Sequence, residues 1–541
     1  MTNKEIASAF RELGDLMELH GENPFKVRSY HNAYVTLRKW GKPLGEMTAD
    51  ERKAIPGVGK AIADKIGQLL DHGTIETLER FRSMTPEGVR EILSIKGLGP
   101  KKVATLWKDL GVESPGELWY ACNENRLLEL SGFGEKTQED IREKLEFFFE
   151  HQHDHLYAVV EDDAMDILDS LQKFLDRKVV ITGSLRRLDP VIGELEFLAE
   201  GKAADPGTHE KLKWDEKEAD SWSGVWDDKW QVRLYWQGTM SWGEAVIRTT
   251  GDSAFLEQWK EKGVALDGKD EMEAFVRAGL PYIEPERRHY ATEWVEKELL
   301  EVKDVKGVVH THSTWSDGLN SIEEMVEASR KRGFEYLVIT DHSKAAFYAN
   351  GLSAERVLAQ FEEIEKLNGQ YDDFKIFKGI ESDILNNGAL DYDDDILARF
   401  DVVIASIHSN LKMDKDKAMM RLIKAVENPY TTILGHPTGR LLLSRPGYPV
   451  DHEKLIDACA ANGVAIEINA NPYRLDLDWT WVRTALDSGV RICINPDAHS
   501  TAGIDDIRFG VNVARKAGMT AKECLNARDV KGFEDFLRQR K

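Results

Sequence analysis

Three styles of hydrophobic patterning follow one another along the 541 residues. From residue 1 to about 150, apolar positions recur every three or four residues between charged ones, as in "MTNKEIASAFRELGDLMELH", and predict a run of amphipathic helices. From about 155 to 285 the pattern is mixed α/β. Beyond residue 306, short β-branched runs return at intervals of about thirty residues: "KGVVHTH", "YLVITDH", "FKIFKGIE", "FDVVIASIH", "TTILGH", "GVAIEIN" and "VRICINPDAH". Helical patterns fill the intervals, and seven such βα units predict a parallel barrel with its functional residues at the C-terminal ends of the strands. The stretch before them, "EPERRHYATEWVEKELLEVKDVK", is charged and helix-prone and reads as a linker over 286–306. The chain is expected to be multidomain, divided into 1–150, 155–285, 286–306 and 307–541, because its length exceeds what a single core serves.

Within the helical region one short pattern repeats: "IPGVGKAIADKI" (Ile55 to Ile66), "IKGLGPKKVATLW" (Ile95 to Trp107) and "LSGFGEKTQEDI" (Leu130 to Ile141). Each copy sets an apolar residue before Gly-x-Gly and then opens a helical pattern. The glycines Gly57, Gly59, Gly97, Gly99, Gly132 and Gly134 allow positive φ and close approach, leaving the amides of the next helix N-terminus free for a phosphate. Lys60, Lys101, Lys102 and Lys136 stand where they add charge contacts to a nucleic-acid backbone. A single Gly-x-Gly is more often a tight turn between helices; three copies favour DNA binding. The net charge of −23 does not oppose this, because residues 1–150 are close to charge-balanced and the acidity belongs to the remainder.

Six tryptophans, Trp214, Trp222, Trp226, Trp230, Trp236 and Trp242, crowd the middle region. They suit stacking on bases or packing of a compact or partner-facing surface, and packing is the expectation. The four cysteines are scattered without a CxxC pair, and no apolar run approaches the eighteen residues of a membrane span. With no secretory pattern at the start, a cytoplasmic, nucleoid-associated protein is expected.

Six of the seven barrel strands end in a residue type that binds metals. His310 and His312 share one face through their i, i+2 spacing, and Asp317 follows in the next loop. His342, Glu381, His408 and His436 come next, then Asp497 and His499, again two apart. One such histidine is more often a satisfied core residue; nine ligands at strand ends are hard to reconcile with that. Imidazole and carboxylate without thiolate suit Mn²⁺, Zn²⁺ or Fe²⁺ in a multinuclear hydrolytic site, where metal acidifies water and steadies the leaving oxygen of a phosphoester.

The motifs "HTHSTWSDG", "TDHS", "GIE", "SIHS", "GHP" and "NPDAHS" resemble the polymerase and histidinol phosphatase (PHP) domain, a distorted (β/α)7 barrel with a trinuclear metal site. The whole arrangement resembles the bacterial and archaeal X-family DNA polymerases: an α-helical helix-hairpin-helix region, an α/β nucleotidyltransferase-like core, and the PHP barrel. The resemblance implies three divalent ions. His310, His312, Glu381 and Asp497 would hold the first, with Glu381 bridging to a second held by His408 and His436; Asp317, His342 and His499 would hold the third. Glu381 and Asp497 would be catalytic, and Arg440 in "GHPTGR" either contacts phosphate or makes a structural salt bridge.

In this family "GSLRR" is followed by Asp-x-Asp, with a third Asp on a later strand. Here the pair is Glu194 and Glu196, and the third position is Arg233 in "WQVRLYW". An extra methylene displaces a carboxylate by about 1 Å, which costs a positioned reaction on the order of a hundredfold. An arginine also sets positive charge where cations would bind. The Gly-Ser-x-x-x-His nucleotide pattern is absent near "TTGDSAFLEQW". The core is therefore expected to have lost polymerisation, with Arg186 and Arg187 touching DNA or serving the fold. Lys65 matches the family's Schiff-base lyase lysine, although a surface lysine is the preferred reading; a monovalent cation at the hairpins is also implied.

The expected function is Mn²⁺-dependent 3′–5′ exonuclease and 3′-end processing, with abasic-site incision, in base excision repair. The partners expected are gapped, nicked or damaged duplex DNA and repair proteins, with a monomeric chain and no membrane. The alternatives are a gap-filling polymerase, a small-molecule phosphatase of the histidinol phosphate kind, and a non-catalytic repair scaffold.

Overall fold

The computed structural model describes residues 1–150, 153–203, 208–290 and 292–540. They form two compact units, Met1–Gln152 and His153–Lys541. The first unit is helical. Its opening helix, Asn3–Leu19, starts on a capping box in which Thr2 and Glu5 satisfy each other's backbone amides, and it buries Ile6, Phe10, Leu13 and Met17. The three Gly-x-Gly repeats lie at the starts of the helices Lys60–His72, Pro100–Leu110 and Glu135–Glu150. Val58, Leu98 and Phe133, between the glycines, are buried and pin each turn to the core.

The second unit opens with a five-stranded sheet: β1 (Val179–Ile181), β2 (Leu195–Ala199), β3 (Leu212–Lys217), β4 (Ser221–Trp226) and β5 (Trp230–Trp236). The order is β1-β2-β5-β4-β3, with β2 and β5 parallel and the other pairs antiparallel. In β5, buried and half-buried residues alternate, so Trp230, Val232, Leu234 and Trp236 face the core. Trp222 meets Trp236 edge to face at 5.4 Å, and Trp226 is buried in the same core. The helix Tyr157–Leu175 closes this core with Val160, Ala164, Ile167 and Leu171. Most of the tryptophan cluster is thus internal packing.

Seven further strands make the barrel: β6 (Gly307–Thr311), β7 (Tyr336–Ile339), β8 (Lys375–Asp383), β9 (Val402–Ser406), β10 (Ile433–Leu434), β11 (Ala465–Asn469) and β12 (Ile492–Asn495). They pair in chain order and in parallel. The ring is nearly closed by a parallel bridge between Thr311 and Ala498, where His312 N donates to Ala498 O at 2.9 Å. Every residue of β6, β7, β9 and β11 is buried, as strands covered on both faces must be.

The segment 286–306 differs from its helix-prone reading. Its described residues hold two single 3₁₀ turns, Pro285–Arg287 and Val302–Asp304, and no α-helix. Tertiary contacts override propensity here. Arg288 is wholly buried against Glu271, Glu286 accepts from Arg515, and Leu300 N donates to Met519 O at 3.0 Å. The segment is a strap packed between sheet and barrel rather than a loose tether. Beside it Lys516, only 3% exposed, reaches Asp189 at 2.5 Å while His289 Nε2 donates to the Lys516 carbonyl at 2.9 Å. Among the described residues no helix is long and apolar enough to cross a membrane.

Candidate metal centre

The C-terminal mouth of the barrel brings the nine candidate residues together, eight of them in groups that could hold a metal ion and His436 against Glu381. Glu381 of β8 is the hub. Its Oε1 lies 3.3 Å from His310 Nε2 and 3.0 Å from both His408 Nε2 and His436 Nε2. Its Oε2 lies 2.9 Å from His342 Nδ1 and 3.6 Å from His312 Nε2. Asp497 Oδ1 lies 3.2 Å from His312 Nε2 and 3.5 Å from His310 Nε2. Asp317 Oδ1 faces His499 Nε2 at 3.4 Å and His342 Nε2 at 3.7 Å. Three overlapping groups have ligand atoms close enough to share an ion: His310, His312 and Asp497; His342, Glu381 and His408; and His312, Asp317, His342 and His499.

The backbone is bent to achieve this. His310, His436 and Asp497 have φ of +66°, +25° and +52°, a region that costs non-glycine residues about 1–3 kcal/mol each. The loop after β6 is tied to Asp341, whose carboxylate accepts from Ser313 N at 2.7 Å, Ser316 Oγ at 2.5 Å and Gln360 Nε2 at 2.6 Å. Burial pushes the Asp341 carboxyl up, and these donors oppose it. Gly318 lets the loop double back, since a Cβ there would stand 2.5 Å from the His312 carbonyl oxygen.

The electrostatics are those of a cage built for cations. Burial disfavours charge on Glu381, but His408, His310 and His342 outweigh it and hold the carboxyl well below its ordinary range. His408 is pushed up to about 10 and His499 to about 9, because nearby carboxylates outweigh burial. His312 is driven down to about 3 by burial and by His499 and His342. His310 Nε2, His312 Nε2, His342 Nδ1 and Glu381 Oε2 are buried without a well-formed hydrogen bond, the 2.9 Å approach of the last two included. Buried polar atoms cost about 1–3 kcal/mol each when left unpaired. Divalent cations would satisfy these atoms together, and the nitrogen and oxygen donor set is compatible with Mn²⁺, Zn²⁺ or Fe²⁺.

Strand-end patterning alone misses a supporting layer. Glu467 of β11, fully buried, lies 2.6 Å from His310 Nδ1 and accepts from His436 N at 3.0 Å and Asn495 Nδ2 at 2.7 Å. Asp383 lies 3.2 Å from His408 Nδ1. Both orient an imidazole so that its other nitrogen faces the centre. A glutamate inside the apolar run "GVAIEIN" is the signal that could have found the first of them.

Arg440 is not at the centre. Its guanidinium is taken up by Asp478 at 2.6 Å, Arg474 O at 2.9 Å and the Leu475 carbonyl, so its role is structural. The cation at the mouth is Arg474, 3.7 Å from Asp497 Oδ2 and free of side-chain hydrogen bonds among the described residues.

In the sheet domain, Arg233 Nε donates to Glu194 Oε2 at 2.7 Å. Glu196 accepts from Ser184 N at 3.1 Å and Tyr235 OH at 3.2 Å, and burial pushes its carboxyl up. Arg186 is occupied by Glu271 at 2.9 Å and Thr250 at 2.7 Å, and Arg187 by Asp189 at 2.8 Å and the Thr250 carbonyl at 2.8 Å. Both arginines brace the fold instead of facing out toward a phosphate.

In the helical unit, Gly57, Gly97 and Gly132 have φ of +79°, +89° and +88°, which L side chains rarely adopt. Gly59 and Gly99 cap their helices without any side-chain hydrogen bond, which leaves first-turn amides open; in the second helix these begin after Pro100, because proline carries none. Lys60, Lys101, Lys102 and Lys136 are exposed at these helix starts, and Gly134 directly precedes the third helix. Lys65 donates to Thr77 Oγ1 at 3.2 Å, and burial, with Lys26 nearby, lowers its affinity for the proton.

Comparison with known proteins gives matches in the helical unit and in the barrel. Residues 1–75 match the helix-hairpin-helix domain, 89–146 the SAM-like helix-hairpin-helix tandem, and 309–471 the PHP domain. Over 571 aligned residues, 100% of both chains, the sequence is 36% identical to the DNA polymerase/3′-5′ exonuclease PolX of Bacillus subtilis (strain 168). A probable phosphatase of Thermoanaerobacter sp. (strain X514) is 28% identical over 243 residues, 43% of this chain and 94% of that protein. Another, from Caldicellulosiruptor bescii, is 30% identical over 214 residues, 36% of this chain and 80% of that protein.

Proposed function

Since the chain belongs to the PolX family, X-family polymerases with helix-hairpin-helix domains and a C-terminal PHP domain, we propose that its working centre is the PHP barrel. There it acts as a metal-dependent phosphodiesterase that removes nucleotides from DNA 3′ ends, cleans damaged 3′ termini and incises abasic sites in repair. The sheet domain has ceased to polymerise. The observation that carries this reading is a contrast between two carboxylate sites. Around Glu381, buried imidazoles and carboxylates converge with several donor atoms lacking a well-formed hydrogen bond, whereas Glu194 is already neutralised by Arg233 at 2.7 Å.

Ions bound at the barrel mouth supply acidification of water and neutralisation of the phosphoester. The chain's own residues do the rest. Glu467 and Asp383 hold the imidazoles of His310 and His408 at Nδ1, leaving each Nε2 turned to the centre. Asp341 fixes the loop that carries Asp317. Arg474, with no hydrogen bond on its guanidinium, takes the charge of the scissile phosphate. The open amides of the hairpin helices hold the DNA backbone without reading sequence.

His312→Ala and Glu381→Ala proteins are expected to lose bound Mn²⁺ and to fall at least about a hundredfold in 3′-nucleotide release. Wild-type rates in either would contradict the assignment. The second reading is a gap-filling polymerase, favoured by the words DNA polymerase in the name of the Bacillus subtilis relative. The ion pair between Glu194 and Arg233 is the feature that opposes it.

A further inference from the structure

Immediately after the ligand His342, the chain forms a short loop with two of the most exposed aromatics of the molecule. Phe347 is 89% exposed and Tyr348 72%, yet the loop holding them is firmly tied. Its 3₁₀ turn, Phe347–Ala349, ends at Asn350, whose side chain donates to Trp315 O at 3.2 Å in the metal-binding loop. Arg356 NH1 donates to Asn350 O at 2.8 Å, and Ala345 N to Asp391 Oδ2 at 2.6 Å. Gly351 passes so close to Ser343 that a Cβ would stand 1.9 Å from its carbonyl oxygen. Exposed apolar rings on a fixed loop serve recognition, because nothing in the fold needs them there.

Their position indicates what they recognise. The Tyr348 ring lies 6.3 Å from the His342 imidazole, within one nucleotide's reach of the metal centre. The mouth therefore sets an aromatic face beside the candidate metal cage, with the Arg474 guanidinium 3.7 Å from Asp497 Oδ2. That combination matches the parts of a nucleotide: base and phosphodiester.

We infer that Phe347 and Tyr348 form a stacking platform for the terminal base of an unpaired DNA 3′ end, which seats the scissile phosphate between Arg474 and the metal ligands. This deepens the hydrolytic reading above and rests on it. A paired terminal base, stacked in its duplex, must fray before it reaches the platform.

The test uses the full-length protein with Mn²⁺ and two single-stranded oligonucleotides that differ only at the 3′ end, one with a normal nucleotide and one with a tetrahydrofuran residue lacking the base. The unaltered protein is expected to release the normal nucleotide about tenfold faster or more, the size that aromatic stacking on one base provides. In the Phe347→Ala/Tyr348→Ala protein that ratio should collapse toward one, and Phe347→Trp should preserve it. An undiminished ratio in the double variant, or no preference in the active unaltered protein, overturns the platform alone. Failure of the unaltered protein to cleave either substrate overturns the hydrolytic reading, and the platform with it. If the double variant loses Mn²⁺ binding, the single variants Phe347→Leu and Tyr348→Leu carry the same ratio test.

Discussion

Glu467 behind the imidazole of His310 and Arg474 beside Asp497 together define what the barrel mouth can do. Glu467→Gln removes the charged partner of His310 Nδ1 and is expected to lower Mn²⁺ affinity about 10–100-fold, as titration calorimetry would show. Wild-type affinity in that variant would mean His310 is oriented by its other neighbours. The two arginines should part company. Arg474→Ala is expected to lose kcat/KM for DNA with its melting temperature unchanged, whereas Arg440→Ala should melt earlier, having freed Asp478 and two carbonyls. The nine ligands are legible in sequence because each follows closely on a β-branched run. Glu467 stands out only as a charge inside the apolar run "GVAIEIN", and its pairing with His310, 157 residues away, has no local pattern to announce it. Arg440 and Arg474 look equally suitable as letters; only hydrogen bonding tells the engaged guanidinium from the free one.

At the scale of elements, the Gly-x-Gly turns are readable because positive φ leaves a compositional mark, and the structure gives the reason at Gly57, Gly97 and Gly132. Replacing Lys60, Lys101, Lys102 and Lys136 with Gln is expected to flatten the salt dependence of DNA binding by about one unit of log–log slope for each phosphate no longer neutralised. An unchanged slope would remove these helix starts from the DNA interface. The segment 286–306 departs from its composition for the opposite reason. Its letters suit a helix, but Arg288 and Glu286 are drawn into buried pairs with Glu271 and Arg515 that an independent helix would not reach. The tryptophans of β4 and β5 follow their expected reading instead, since these rings are packed in the core.

In the second unit as a whole, sheet and barrel are joined through a buried polar junction, and this sets its response to acid. Burial, then the charge of Lys516, drives His289 down to about 4 from its ordinary 6.5. The unfolded chain therefore takes up a proton that the folded one refuses. The stability held above pH 6.5 is lost as pH falls from 6.5 toward 4, by up to about 1.4 kcal/mol per pH unit. Melting should come earlier at pH 5 than at pH 7, and His289→Gln should shrink that difference; an undiminished difference would place the acid sensitivity elsewhere. The same unit carries both carboxylate sites, one poised around converging imidazoles and carboxylates and one closed by an ion pair.

The most direct measurement follows a 5′-labelled primer at a one-nucleotide gap, with Mn²⁺ and deoxynucleotides present, in the unaltered protein and in His312→Ala. The account predicts a primer that shortens, and no change at all in the variant. A primer that grows by one nucleotide in both would show that Glu194 and Glu196 still hold catalytic ions despite Arg233, and would contradict the account.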